Sequence, residues 1–259
     1  MRIISLNTNG IRAAQRKGFF EWLDAQQADV VCIQETKAQE WQLDPELFFP
    51  LGFHCYYCDA EKKGYSGTAL YARRKPDKVT FGLGWDPCDS EGRLIQADFP
   101  GLSVISMYVP SGSSSDAALA KKLAFHEQIT PYFAAMRRKR REFVICADWN
   151  TCHKEIDLKN WKANQKNSGF LPVERAWLDH LYDELGFVDA FRLVNQDANE
   201  YSWWSNRGQA WANNVGWRLD YHVITPGLVD TVRSASIYRD QRFSDHAPVT
   251  MDFSIELPE

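Results

Sequence analysis

Short apolar segments rich in β-branched residues recur along the whole chain, and polar residues follow most of them directly. Segments of this length and composition are typical of buried β-strands. Between some of them, apolar residues recur at the three- and four-residue spacing of an amphipathic helix. The predicted strands lie at residues 2–6, 30–34, 68–73, 79–83, 94–99, 103–109, 142–147, 219–225, 231–238 and 248–255, and the predicted helices start at Phe19 and span residues 116–136 and 173–185.

Many strands with few helices between them predict an α/β or α+β sandwich rather than a helical bundle. A linker rich in Pro, Gly or Ser would mark a domain boundary, but the nearest candidate, residues 111–115, is short and ends where a helix is predicted to begin. We therefore expect residues 1–259 to form a single domain. Segments 3–9 and 144–150 resemble each other, since each is a strand followed by spaced polar residues.

Polar side chains at the ends of several predicted strands indicate a shared cleft. Carboxylate oxygens come from Glu35, Asp148 and Asp245, and carbonyl oxygens come from Asn7 and Asn150. One such residue alone is usually part of a turn or a helix cap, whereas several on different strands suggest a site. Oxygen ligands suit Mg²⁺ or Mn²⁺, whereas zinc prefers His and Cys. The sequence thus predicts a site for a hard cation.

A second candidate pair consists of His246, in the segment Ser-Asp-His-Ala-Pro, and Asp220, inside an otherwise apolar strand. A carboxylate bonded to one ring nitrogen fixes the tautomer of a histidine and favours its charged form. The other nitrogen is then free to face a phosphate.

Composition excludes several classes of protein. A hydrophobic fraction of 44% and a charged fraction of 25% are ordinary for a globular chain, and a net charge of −4 excludes a histone-like polycation. An enzyme acting on nucleic acid needs only a local basic surface. The apolar runs are too short for a membrane span or a secretory signal, so a cytoplasmic protein is expected. Cys55-Tyr56-Tyr57-Cys58 lacks a second cysteine pair and alternates like a strand, which favours a structural role over a metal site.

Taken in order along the chain, the motifs resemble the exonuclease III family of abasic-site DNA endonucleases, within the deoxyribonuclease I-like phosphodiesterase superfamily. The likeness runs from Leu-Asn-Thr-Asn-Gly-Ile-Arg at residues 6–12 to Ser-Asp-His at residues 244–246. It implies a four-layer α/β/β/α sandwich, in which two mixed β-sheets pack face to face with helices outside and the active site lies at one edge. The motifs that separate DNA repair from the lipid, inositol-phosphate and RNA-tail branches lie at residues 64–67, 155–160, 167–170 and 216–221.

The resemblance also implies roles for the polar residues. Glu35 would be the principal Mg²⁺ ligand, Asp148 would align and deprotonate the attacking water, and His246, supported by Asp220, would bond a phosphate oxygen. Whether Asp148 or His246 is the base, and whether one or two metal ions act, both stay open. The residues expected to be catalytic are Tyr108, Asp148, Asn150, Asp220 and His246, and those expected around the metal are Asn7, Glu35, Asp148, Asn150, Asp245 and His246.

Contacts with DNA are likewise implied by the resemblance. An apolar pocket formed by Trp203, Trp217 and Leu219 would admit a flipped sugar that lacks its base. Several relatives have Asn where this chain has Ser111, and some carry a DNA-inserting arginine shortly after it, a part that Arg207 would partly take here. The residues expected to contact DNA are Arg12, Lys17, Gly64, Tyr65, Asn160, Asn164, Asn167, Trp203, Arg207, Trp217 and Leu219.

The function that the resemblance implies is Mg²⁺-dependent cleavage of duplex DNA on the 5′ side of an abasic site, leaving a 3′-hydroxyl. Mn²⁺ is expected to replace Mg²⁺, and 3′→5′ exonuclease and 3′-end-cleaning activities are expected alongside. The alternatives are a relative specialised for 3′ ends with weak abasic incision, an inactive DNA-binding protein on the same fold, and a phosphomonoesterase or lipid phosphodiesterase. The expected partner is double-stranded DNA with abasic sites or damaged 3′ ends, bound by a monomer, with no membrane association.

Overall fold

The computed structural model describes residues 1–257, and these contain fourteen β-strands and seven α-helices. Within that range no helix is both long enough and apolar enough to cross a membrane. The strands are β1 (Arg2–Asn7), β2 (Val30–Gln34), β3 (His54–Cys58), β4 (Thr68–Ala72), β5 (Lys78–Phe81), β6 (Leu94–Phe99), β7 (Leu102–Tyr108), β8 (Glu142–Asp148), β9 (Val188–Asp189), β10 (Trp203–Trp204), β11 (Gly216–Trp217), β12 (Asp220–Ile224), β13 (Val232–Ile237) and β14 (Val249–Phe253). The helices are α1 (Ile11–Arg16), α2 (Phe19–Asp24), α3 (Pro45–Phe48), α4 (Asp116–Met136), α5 (Trp161–Asn164), α6 (Pro172–Asp179) and α7 (Ala190–Val194).

Two six-stranded sheets form the framework, in the orders β13-β14-β1-β2-β4-β3 and β5-β6-β7-β8-β12-β9. Each sheet contains one parallel pair, β1 with β2 and β7 with β8, among antiparallel neighbours. Strands β10 and β11 form a small separate ribbon. Both large sheets are therefore mixed, as expected.

The core is divided into three main apolar clusters by these sheets. The first fills the space between them, with Ile3 and Cys32 from one sheet and Val104 and Cys146 from the other. The second packs α4 and α6 on the outer face of the second sheet, and the third packs α1 and α2 on the outer face of the first. Helix, sheet, sheet and helix layers confirm the four-layer sandwich.

Most predicted elements lie within two residues of observed ones, and the segment with Cys55 and Cys58 is indeed a strand, β3. The predicted helix at 173–185 ends its α-helical part at Asp179 and continues as a π-helical turn at His180–Glu184. The ribbon β10–β11 was not predicted, because strands of two residues show no alternation. Helix α1 was not predicted either, because only Ile11 and Ala14 of it are buried and they do not form a recurring apolar face.

The strand alternation decides which residues face each other across the sandwich. Residues two apart on a strand point to the same face, so Asn7 shares the inner face of β1 with Ile3, and Asp148 shares that of β8 with Cys146. The side-chain Nδ2 of Asn7 donates to Oδ2 of Asp148 at 2.8 Å. The two similar segments 3–9 and 144–150 thus meet at one edge of the sandwich.

Candidate active site

A cleft of 980 Å³ opens at this edge of the sandwich. Its lining combines strand ends from both sheets with the loops that follow β7, β8 and β10. Most residues predicted from the sequence to act on substrate line it directly. They are Glu35, Tyr108, Asp148, Asn150, Asn167, Trp203, Arg207, Trp217, Leu219, Asp245 and His246.

A buried cluster of two carboxylates and one imidazole lies at the base of the cleft. His246 Nδ1 lies 2.8 Å from Asp220 Oδ2, and His246 Nε2 lies 3.8 Å from Asp148 Oδ2. Burial alone would lower the pKa of His246, but the charges of Asp220 and Asp148 raise it. The imidazole is therefore held as a cation with Nε2 on the cleft side. The ligand atoms of the three residues lie within 4.8 Å of one another, so the cluster could hold a metal ion.

Asp148 is oriented by donors on both of its oxygens. Its Oδ1 accepts the backbone N–H of Asn150 at 2.8 Å, and its Oδ2 accepts from Asn7 at 2.8 Å and from Asn150 Nδ2 at 3.3 Å. Burial, helped by the charge of Asp220, raises the pKa of Asp148 from 3.8 to about 7, although His246 and these hydrogen bonds act in the opposite direction. Asn7 itself is fully buried behind the cleft, and its own Oδ1 accepts the N–H of Asn9.

Glu35 and Asp245 both line the cleft, partly buried, and are connected by two further side chains. Lys37 Nζ lies 2.8 Å from Glu35 Oε1 and donates to Asn9 Oδ1 at 2.5 Å. Asn9 Nδ2 then donates to Asp245 Oδ1 at 3.0 Å, while Trp203 Nε1 donates to Asp245 Oδ2. The exposed ligand atoms here are carboxylate and carboxamide oxygens, which is a set that fits a hard divalent cation.

Four residues that line the cleft have left-handed backbone conformations, Asn9 (φ 45°), Glu35 (φ 56°), Lys37 (φ 49°) and Asn150 (φ 50°). This conformation costs a non-glycine residue about 1–2 kcal/mol and is concentrated at functional sites. Sequence reasoning missed Asn9 and Lys37 as site residues. The available signal was their position, since each lies two or three residues beyond the end of a strand and two residues after one already singled out, Asn7 or Glu35.

Tyr108 lies at the end of β7 with its hydroxyl held neutral. Burial raises its pKa well above the usual value, and the charges of Glu35 and Asp148 act in the same direction. Arg93 supports it, because Nη1 donates to the Tyr108 carbonyl oxygen at 2.9 Å and the guanidinium lies 4.8 Å from the ring centre. Arg93 Nη2 also donates to the Tyr65 hydroxyl at 3.2 Å. Arg93 was not singled out from the sequence, where nothing distinguishes it from a surface arginine.

An apolar pocket forms one wall of the cleft. Trp203 and Trp217 face each other edge to face with ring centres 6.3 Å apart, and Leu219 packs with them. Trp204, the neighbour of Trp203, is fully buried against Trp211 and belongs to the core. Trp203 and Trp204 are adjacent residues of β10 and therefore point to opposite faces of the ribbon, one to the cleft and one to the core.

The other residues expected to bind DNA are not part of the cleft lining. Asn160 and Asn164 share a loop with Asn167, in which Asn164 donates to the Asn160 carbonyl and Asn167 donates to Asn164 Oδ1. Lys17 lines an adjoining cavity of 240 Å³ that also contains Asn9 and Asp245. The remaining residues predicted to act at the site but absent from the cleft lining are Asn7, Arg12, Gly64, Tyr65 and Asp220.

The chain matches the sequence profile of the Endonuclease/Exonuclease/phosphatase family over residues 4–246. It is 40% identical over 257 residues to an exodeoxyribonuclease of Bacillus subtilis (strain 168), covering 98% of this chain and 100% of the relative. An AP endonuclease from Archaeoglobus fulgidus superposes with a TM-score of 0.90 at 28% identity, covering 98% of this chain and 100% of that one. The Neisseria 3′ phosphatase NExo, solved with a product DNA hairpin, superposes with a TM-score of 0.89 at 26% identity, covering 98% of this chain and 99% of that one. The chain therefore belongs to the Endonuclease/Exonuclease/phosphatase family.

Proposed function

We propose that this protein hydrolyses the phosphodiester bond on the 5′ side of an abasic site in duplex DNA and leaves a 3′-hydroxyl group. The broader function, that of a DNA-repair nuclease, follows from the family and from the activities of its relatives. The observation that carries the finer proposal is the content of one cleft. A buried Asp–His cluster, a pair of carboxylates and an apolar tryptophan pocket open into the same cavity.

The chemistry is in-line displacement at phosphorus by water. Asp148 accepts the proton of the attacking water, and Asn150 holds that water or the phosphate. His246 lies between Asp220 and Asp148 and so acts as a cationic donor, through Nε2, to a non-bridging phosphate oxygen. This supports Asp148 rather than His246 as the base. The Tyr108 hydroxyl is neutral and donates a further hydrogen bond to the phosphate. Contacts of this kind typically contribute about 3 kcal/mol each to the lowering of the barrier.

We assign the metal to the part of the cleft lined by Glu35 and Asp245, which would hold it. Their oxygen ligands favour Mg²⁺, which Mn²⁺ can replace. When bound, the ion supplies positive charge that neutralises the charge developing on the phosphate. The Asp148–Asp220–His246 cluster is a weaker candidate, because a protonated imidazole has no lone pair to offer a metal ion and the charges of Asp220 and Asp148 raise the pKa of His246. Asn7 and Asn150 contribute by orienting Asp148.

DNA binding divides into a recognition pocket and a ring of backbone contacts. The pocket of Trp203, Trp217 and Leu219 accommodates the sugar that lacks a base. Backbone contacts fix the position of the enzyme on the duplex without reading sequence. Because the cleft opens at a single edge, we expect one monomer, folded as one domain, to act on each site. The backbone contacts are assigned to Arg12, Lys17, Gly64, Tyr65, Asn160, Asn164, Asn167 and Arg207.

A second candidate function is the processing of blocked 3′ ends with weak abasic incision. Two observations favour keeping it. The Neisseria structure that superposes on this fold is a 3′ phosphatase. In addition, residues 111–115, which line the cleft after β7, are all Ser or Gly and include no arginine of the kind that some relatives insert into DNA.

Incision of an end-labelled duplex with one internal, chemically stable abasic analogue separates these functions. The reaction is run with Mg²⁺, with chelator, and with the variants Asp148→Asn and Asp183→Asn, the latter being an exposed control. We expect a cut on the 5′ side that requires Mg²⁺ and is lost only in Asp148→Asn. Release of a 3′-phosphate without internal incision would favour the second candidate. If neither the internal abasic site nor the 3′-phosphate end is processed, the nuclease assignment is contradicted.

A further inference from the structure

Lys122 and Glu174 form an ion pair that is completely withdrawn from solvent behind the cleft. Both side chains are 0% exposed, and Lys122 Nζ lies 2.5 Å from Glu174 Oε1. Lys122 comes from α4 and Glu174 from α6, so the pair joins the two helices that cover the second sheet. A buried ion pair rarely stabilises a protein more than a well-packed apolar pair would, because desolvation offsets the attraction. The advantage of this pair must therefore come from its other contacts.

On the Lys122 side, the pair reaches the loop that carries the reacting groups. Lys122 Nζ also donates to the carbonyl oxygen of Asn150 at 2.7 Å. Asn150 is the left-handed residue whose backbone N–H and side-chain Nδ2 both bond Asp148. A cation on its carbonyl restrains the backbone on one side of this left-handed residue, and both bonds to Asp148 come from the same residue.

On the Glu174 side, the pair holds the turn at residues 168–171, which forms part of the cleft wall. Glu174 Oε2 accepts the N–H groups of Gly169 at 2.7 Å and Leu171 at 3.0 Å, and Oε1 accepts the Ser168 hydroxyl at 2.9 Å. Ser168, Gly169 and Leu171 all line the cleft. One carboxylate therefore fixes a whole turn of that wall.

The two sides meet at Gly169. A Cβ atom added there would lie 3.1 Å from the Trp217 ring and 3.3 Å from the Asn150 carbonyl oxygen, and the residue has a φ of +96°. The turn is thus packed directly between the Asn150 peptide and the apolar pocket. Any movement of the turn displaces Asn150, Trp217 or both.

We propose that Lys122 and Glu174 act together as a positioning pair, which fixes the Asn150 peptide against the turn at residues 168–171. The pair thereby sets the geometry between Asp148 and the pocket of Trp217. Neither residue contacts the substrate, and both act through Asn150 and the turn. This inference rests on the proposed function only in its kinetic part.

The test is the double variant Lys122→Met, Glu174→Gln. It removes both buried charges together, so that no unpaired charge remains, and the carbonyl oxygen of the introduced amide can still accept the N–H groups of Gly169 and Leu171. The bond from Lys122 to the Asn150 carbonyl is lost. We expect kcat for abasic incision to fall about 10- to 100-fold, the range for a small displacement of reacting groups. KM is expected to change by less than about threefold, because the surfaces that bind DNA stay in place.

Ile129→Ala is the matched control. Ile129 is a fully buried residue of α4, two turns beyond Lys122, and belongs to the apolar cluster on the outer face of the second sheet. This variant should lose stability through its cavity and keep kcat within about twofold. Thermal unfolding of each variant establishes that all are folded at the assay temperature.

Amide hydrogen exchange gives a readout that does not depend on activity. The amides to follow are those of Asn150, which donates to Asp148 Oδ1, and Cys152, which donates to the Gly169 carbonyl oxygen. Measured relative to the slowest-exchanging core amides, which report global stability, their exchange is expected to quicken about tenfold or more in the double variant and to stay unchanged in Ile129→Ala. A double variant with wild-type kcat and wild-type exchange would overturn the positioning role. Equal loss of kcat in Ile129→Ala would also overturn it, since stability alone would then explain the effect. If the wild type fails to incise DNA, the proposed function fails, and exchange still decides this inference.

Discussion

Asn7 is a residue whose importance comes from a single contact between the two sheets. It is fully buried, and its Nδ2 donates to Asp148 at 2.8 Å from a position 141 residues away along the chain. We expect Asn7→Ala to lower kcat about 10- to 100-fold, because Asp148 Oδ2 loses the closer of its two donors and keeps only Asn150 Nδ2 at 3.3 Å. The free energy of unfolding should fall by about 1–3 kcal/mol, since a buried acceptor loses its stronger hydrogen bond. Steady-state incision and urea unfolding measure the two effects.

The exposed Asn213→Ala provides the comparison, and it should leave both quantities unchanged. If Asn7→Ala unfolds more easily yet keeps full kcat, Asn7 serves the fold alone.

Glu35 is the residue at which the metal assignment is most directly testable. Its carboxylate lies in the cleft beside Lys37, with Asp245 connected through Asn9. We expect Glu35→Gln to raise the Mg²⁺ concentration for half-maximal incision about tenfold or more, because a neutral amide is a weaker ligand for a hard cation. Binding of abasic duplex in chelator should change little, which separates metal binding from DNA binding.

Glu61→Gln, at an exposed acidic residue outside the cleft lining, should not alter the Mg²⁺ requirement. An unchanged requirement in Glu35→Gln would move the metal to the buried Asp148–Asp220–His246 cluster.

At the scale of elements, strands and the long helix could be predicted because their periodicity is local. Helix α4 has the predicted bounds, and β2 and β6 do as well. The Lys122–Glu174 pair could not be predicted, since a lysine and a glutamate 52 positions apart look like two surface residues. The left-handed backbone at Glu35 was equally hidden, because this conformation is usually signalled by Gly or Asn and not by Glu. The family resemblance located Glu35, and periodicity located the helices that carry Lys122 and Glu174, but only the fold shows what each side chain contacts.

The packing of α4 on α6 makes a prediction about acid stability. His126 of α4 stacks on Trp177 of α6, with ring centres 3.9 Å apart and planes 3° apart. Burial, helped by the charge of Lys122, lowers the pKa of His126 from 6.5 to about 3. The unfolded chain therefore takes up a proton first, and stability falls as the pH drops below about 6.5 towards 3. Between pH 7.5 and 5.5, protonation of this histidine in the unfolded chain should lower the free energy of unfolding by about 1.4 kcal/mol.

Urea unfolding at the two pH values checks this prediction. His126→Phe keeps the stacked ring and should lose less stability than the wild type over the same interval, by about 1.4 kcal/mol. His54→Gln, at an exposed histidine, should retain the wild-type difference. Equal pH dependence in His126→Phe and the wild type would mean that this imidazole can be protonated in the folded protein.

For the whole molecule, the central question is how a chain with a net charge of −4 binds a polyanion. The basic run at residues 137–141 is the most obvious candidate in the sequence, but the structure separates it from the cleft. That run directly precedes Glu142, the first residue of β8, whereas Asp148 is the last residue of the same strand. The basic run and Asp148 therefore lie at opposite ends of β8, about 20 Å apart. Arg137 and Arg141 donate to backbone carbonyls at that far edge. Lys17, by contrast, lines a cavity shared with Asp245.

The salt dependence of binding should reveal which cations touch the phosphates. With Asp148→Asn in chelator, the dissociation constant of an abasic duplex is measured by fluorescence anisotropy between about 50 and 200 mM salt. Adding Lys17→Gln should weaken binding and reduce the slope of log K against log salt by about 0.9, the value for one lost phosphate contact. Adding Arg138→Gln, an exposed residue of the basic run, should leave the slope unchanged, because that edge lies beyond the reach of a duplex held in the cleft. Equal reductions in both variants would mean that the duplex wraps around the sandwich, and the single-edge binding mode would then be wrong.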